Sequence, residues 1–143
     1  MGKKRIVKKG ESAPQENAGK PVSAPKRSVA SAVLSVDSTY NNTKVVVSDT
    51  KGNVLCWSSS GSLGFTGAKK GTPFAAAKVG ELLAEKAIAM GVKDISVVVR
   101  GVGSGRESAI RGFISKGAFT ISSIKDMTPV PFNGPRPKKP RRV

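Results

Sequence analysis

The sequence predicts an α/β fold: a single mixed five-stranded sheet with two helices and basic extended tails at both ends. Three observations carry this. Between residues 29 and 126, short β-branched segments are separated by turn residues. Two other segments, 74–89 and 106–116, have helical composition and helical punctuation. The resulting order, β-β-β-α-β-α-β, predicts helices packed on one mixed sheet.

Val29–Val36 is the first strand, and Thr43–Asp49 follows with a Val45-Val46-Val47 centre. Val54–Ser58 comes after Thr50-Lys51-Gly52-Asn53, a hairpin turn whose glycine is free to take positive φ. These three read as an antiparallel meander. Residues 59–71 are rich in glycine and serine. Thr72 then caps a helix with Pro73 at its first position, and Phe74–Ala89 continues it. Val79, Leu82, Leu83 and Ala87 recur at helical spacing, while Lys78, Glu81, Glu85 and Lys86 form the polar face. Gly91 ends the helix. Asp94–Arg100, with Ile95 and Val97-Val98-Val99, is a buried strand. A glycine loop at 101–105 leads into the second helix, Arg106–Lys116, which Gly117 ends. Phe119–Lys125 is the last strand. Trp57, the single tryptophan, is expected in the core rather than as a platform for bases.

Charge narrows the function. The chain has 25 lysines and arginines against 9 aspartates and glutamates, a net charge of +16. Residues 1–28 form a basic N-terminal arm, 29–126 the α/β domain, and 127–143 a basic proline-rich C-terminal arm. The arms cannot bury enough apolar surface to offset the entropy of ordering, so each is expected to be extended on its own. Basic arms on a compact body point to a polyanion as partner. Neither arm has the amphipathic pattern with aromatic anchors that a membrane surface requires. No histidine and one cysteine, Cys56, leave no disulfide framework, no zinc site and no histidine-based acid–base catalysis. The lone cysteine suits a reducing compartment, and the basic start lacks the apolar stretch of a signal peptide, so a cytoplasmic protein is expected. A metal-dependent nuclease would need converging acids. Asp37, Asp49, Asp94 and Asp126 instead flank strands, where each also suits a turn. No enzyme, metal or cofactor is expected.

The sharpest motif is Gly101-Val102-Gly103-Ser104-Gly105-Arg106-Glu107-Ser108, after a strand and opening a helix. Glycines let backbone approach an anion closely, a helix start offers N–H groups, and Arg106 adds a fork for phosphate. The spacing is neither that of a dinucleotide fingerprint nor that of a Walker loop. A plain strand–helix turn, with Arg106 paired to Glu107 or Asp126, is the competing reading. The second candidate, Gly61 to Thr72, joins flexible backbone and Phe65 to adjacent Lys69 and Lys70, as suits a loop moulded to RNA. A mobile loop without a role is its alternative.

Asn41-Asn42-Thr43, Gly52-Asn53, Gly64-Phe65, Thr72-Pro73-Phe74-Ala75-Ala76, Gly105-Arg106-Glu107-Ser108 with Ile110-Arg111, and Asp126 through Val143 resemble the family of bacterial small-subunit ribosomal protein eleven. The run Thr128-Pro129-Val130-Pro131-Phe132-Asn133-Gly134, then Arg136-Pro137 and Arg141-Arg142-Val143, is its most specific part. The resemblance spans about residues 29–143. It implies a ribonuclease-H-like topology without nuclease activity. It also implies a structural protein on the platform of the small subunit that bridges helices of its rRNA and lines the cleft of the messenger's Shine–Dalgarno duplex. Ribosomal proteins seven and eighteen are implied as neighbours, with initiation factor three nearby. Where the family usually has prolines, an arginine, a histidine and a cysteine, this chain has Val102 and Ser104, Thr66, Phe132 and Pro135.

The residues expected to meet RNA are Asn41, Asn42, Lys69, Lys70, Gly101, Gly103, Gly105, Arg106, Arg111, Asn133, Arg136, Lys138, Lys139, Arg141 and Arg142. Neutralisation of phosphates by lysine and arginine is the expected mechanism. A stand-alone nucleic-acid chaperone or regulator is the alternative.

Overall fold

A computed structural model of the protein describes residues 28–142. The expected N-terminal arm lies outside the described residues, except for Ser28. The elements are β1 (Ser31–Ser38), β2 (Thr43–Asp49), β3 (Val54–Ser59), α1 (Pro73–Ala89), β4 (Asp94–Arg100), α2 (Arg106–Lys116) and β5 (Thr120–Asp126), with a short 3-10 turn at Gly67–Gly71 before α1. The expected element order holds.

The strands form one mixed sheet in the order β3-β2-β1-β4-β5. β1 to β3 make the antiparallel meander, whereas β4 runs parallel to both β1 and β5. This is the ribonuclease-H-like arrangement. The hairpin turn between β2 and β3 is closed by Gly52 N–H donating to the Asp49 carbonyl at 2.9 Å, with Gly52 at φ 90°. Alternation along the strands sends one set of side chains into the core: Ala32, Leu34 and Val36 from β1, Val45 and Val47 from β2, and Ile95, Val97 and Val99 from β4. Burying each larger one stabilises the fold by about 1.5–3 kcal/mol. Both helices cover this same face, and Val79, Leu83, Ala84, Ala87, Ala109 and Phe113 meet the strands there. Phe113 is fully buried and stacks on Phe119 at 4.6 Å between ring centroids.

The helices approach one another through glycine. A Cβ on Gly80 would lie 2.8 Å from the Phe113 backbone nitrogen, and one on Gly112 would lie 2.9 Å from Ala77 Cα. A glycine inside a helix costs roughly 1 kcal/mol relative to alanine. Here that loss permits two backbones to touch.

Three expectations are corrected. β1 starts and ends two residues later than expected, because Asp37 and Ser38 are drawn into the ladder by partners on both sides, Lys44 and Thr43 from β2 and Arg100 beside Asp37 from β4. Leu82 is only half-buried, and small residues such as Ala75, Ala76 and Gly80 occupy the contact face of α1 instead. Trp57 is not in the core. It is 62% exposed, because its strand position points to the face that no helix covers.

Candidate nucleic-acid interface

The parallel strands end on one side of the molecule, where the helices begin. Open α/β sheets place their ligand sites outside these carboxyl ends. Three connections gather there: the β1–β2 turn at 39–42, the long connection at 60–72 and the glycine loop at 101–105.

Serine and threonine hydroxyls knit them together. The Ser60 hydroxyl accepts from Thr43 N–H at 3.0 Å and lies 2.8 Å from Asn42 Oδ1 and 2.7 Å from the Lys70 carbonyl, sharing one proton between those acceptors. Ser104 Oγ–H donates to the Gly71 carbonyl at 2.9 Å, so the two candidate loops are joined directly. Thr72 Oγ1 accepts from Ala75 N–H at 3.3 Å as the helix cap and donates to the Lys69 carbonyl at 2.7 Å. The turn at 39–42 is closed by Thr39 N–H donating to the Asn42 carbonyl at 2.9 Å. These bonds hold the Gly61–Thr72 segment in a defined path, with Lys69 exposed and Lys70 half-buried in the last turn before α1.

The glycine loop is packed against the protein's own backbone. A Cβ on Gly101 would fall on the Ser38 carbonyl, and one on Gly103 on the Thr39 carbonyl. On Gly105 it would lie 2.5 Å from Thr43 Oγ1 and 2.8 Å from Ala76 Cβ. Gly103 N–H donates to the Ser38 carbonyl at 2.9 Å. These glycines make room for the protein's own backbone, so the loop is an internal packing joint. Nor is the fork of Arg106 free. Nη1–H donates to the Gly101 carbonyl at 2.8 Å, and Nη2 pairs with the Asp126 carboxylate. The pairing of Arg106 with Asp126 named in the competing reading is thus present. The carboxyl of Asp126 is held at about 2, below its ordinary 3.8, first by the Thr128 hydroxyl and then by Arg106. The triad of Arg106, Asp126 and Thr128 therefore fixes the root of the C-terminal arm, with Met127 N–H donating to the Val99 carbonyl at 2.9 Å.

The remaining expected residues fall into two groups. Asn41 is exposed on the 39–42 turn beside the lysine loop, whereas Asn42 is turned inward onto Ser60. Arg111 is exposed one turn into α2, with only a long contact of 3.5 Å to Glu107. Asn133, Arg136, Lys138, Lys139, Arg141 and Arg142 are all exposed on the arm, and Asn133 turns the chain with φ 52°. Sequence reasoning missed two exposed aromatics at this end, Tyr40 and Phe74, at 76% and 64%. Lys78 lies over the Phe74 ring, 5.7 Å from its centroid, and Phe65 meets it edge-on at 6.2 Å. Placement of Tyr40 between the polar pairs Ser38-Thr39 and Asn41-Asn42 is the signal that could have found it.

No helix among the described residues is long and apolar enough to cross a membrane. Residues 32–142 match the sequence profile of the family described as Ribosomal protein S11. That match covers β1 from its second residue, every later element to β5, both joined loops and most of the basic arm, and so this chain belongs to the ribosomal protein S11 family.

Proposed function

We propose that the protein is a structural constituent of the platform of the small ribosomal subunit, bridging rRNA helices there and lining the cleft that takes the Shine–Dalgarno duplex. As an S11 family member it is a ribosomal protein of the small subunit, with a structural rather than catalytic role and with rRNA and ribosomal proteins as partners. The platform site, neighbours seven and eighteen, initiation factor three nearby and the cytoplasmic location belong to the proposal. The family match favours this reading over a free chaperone or regulator.

One observation carries the RNA-binding geometry: the lysine loop, the Asn41 turn and the root of the C-terminal arm converge at one end of the sheet. In this reading Lys69, Lys70, Arg111 and the arm neutralise phosphates, while Arg106 and the glycines 101, 103 and 105 hold the surface in shape. Salt dependence tests it. Each phosphate neutralised adds roughly 0.7 to 0.9 to the slope of log K against log salt. Deleting residues 136–143 removes Arg136, Lys138, Lys139, Arg141 and Arg142. The slope for small-subunit rRNA should fall in magnitude by about 3.5 to 4.5, with unfolding unchanged. An unaltered slope would place the arm against protein or solvent and overturn this part of the reading.

A further inference from the structure

The two helices cover one face of the sheet and leave the other open. In register across that open face run Trp57, Val46, Ser35, Val98 and Lys125, one from each strand. The next row toward the loop-bearing end is Lys44, Asp37 and Arg100. Between these rows lies a cavity of about 250 Å³, floored by Ser35, Val46 and Val98 and rimmed by Asp37, Lys44 and Arg100. Asp37 is flanked by two cations in register, yet none of the ion pairs among the described residues includes any of the three.

We propose that this face holds one unpaired nucleotide of the bound RNA, its base stacked on Trp57, a ribose hydroxyl on Asp37 and its phosphate on one of the two flanking cations, Lys44 or Arg100. The inference rests on the RNA-binding reading above and adds a second contact surface to it. The volume is slightly below the roughly 300 Å³ of the smallest drug-sized pockets, so beside the base on Trp57 it suits a ribose and excludes a duplex. Val46, beside Trp57 in register, extends the apolar surface that a base plane needs. An ionised Asp37 only accepts hydrogen bonds, so it faces a ribose hydroxyl or an exocyclic amine rather than another anion. Splayed bases stacked on aromatic side chains are the usual route by which proteins read single-stranded RNA. The cations on the rim favour a nucleotide over an apolar protein segment as the occupant.

Because Trp57 is the chain's single tryptophan, its emission reports this site alone. The experiment titrates the full chain with deproteinised small-subunit rRNA and follows binding by filter retention and the indole by fluorescence. Binding should quench Trp57 and shield it from acrylamide. Stacking removed from an aromatic platform weakens binding at least about fivefold, so Trp57→Leu should show that loss and Trp57→Phe should recover most of it. The double change Lys44→Gln and Arg100→Gln should lower the salt slope by roughly 0.7 to 0.9, the share of one phosphate. Retention of RNA with unaltered emission, or equal affinity of Trp57→Leu and the parent, overturns the nucleotide site and leaves the RNA-binding reading standing. Absence of RNA retention by the parent chain overturns both.

Discussion

Two glycine-rich segments meet at the loop-bearing end, and their glycines serve opposite needs. In 101–105 the missing Cβ is a matter of space: Ser38, Thr39, Thr43 and Ala76 occupy the volume a side chain would take. At Gly64 and Gly67 space is free. Gly64 and Gly67 have nothing within 4 Å of a built Cβ, and their φ values are 91° and 59°. There the missing Cβ permits a left-handed backbone. The 101–105 loop is a joint, whereas the other is a shaped surface carrying Lys69 and Lys70 and is anchored only at its end, where a Cβ on Gly71 would fall on the Tyr40 carbonyl. Similar composition thus conceals a division of labour between folding and binding.

The strongest way to break this comparison is to fill the joint. Gly103→Val must displace the Thr39 backbone, and overpacking against a backbone should cost about 3 kcal/mol in urea unfolding. Gly64→Ala meets no neighbour and should cost only about 1 kcal/mol for the left-handed conformation. Equal losses from the two would mean that the loops do not differ. A smaller effect is expected at the root of the arm. The folded carboxyl of Asp126 titrates below its ordinary value, at about 2 against 3.8. Its contribution is therefore complete above about pH 4 and is lost as pH falls through about 2. Asp126→Asn should flatten the stability profile across that window while leaving the rest of the profile parallel to the parent. The smallest effect on stability is expected for Lys69→Ala with Lys70→Ala, within about 0.5 kcal/mol of the parent. Those two should instead lower the salt slope of RNA binding by roughly 1.4 to 1.8. A stability loss without a slope change would make the lysine loop a second joint.

Local signals made the helices legible. Thr72, Pro73 and Gly91 mark α1, and the second helix falls at Arg106–Lys116 as expected from the glycines around it. Strand identity was legible too, but strand ends were not, since Asp37 and Ser38 become strand only through partners distant in sequence. Trp57 shows the same limit. Its neighbours alternate as a strand requires, but nothing local says which face a helix will cover. At the candidate site, the lysines and the basic arm could be read from charge alone. The glycine motif could not, because a phosphate loop and a packing joint demand the same missing Cβ. The partners that decide between them lie at the end of β1, in the turn after it and at the start of β2, more than sixty residues upstream.

The position of β4 has a consequence for how the chain reaches this structure. β1 lies between β2, which follows it directly, and β4, so that Leu34 sits beside Val97. During synthesis the meander of β1 to β3 can zip up early, but one side of β1 stays unpaired until β4 has emerged. Pairings of such long sequence separation fold slowly, because the loop must be closed before the contact returns any free energy. An apolar strand edge is exposed through that interval, the state from which nascent chains aggregate. The delay between making β1 and making β4 is thus the vulnerable stage in this protein's life.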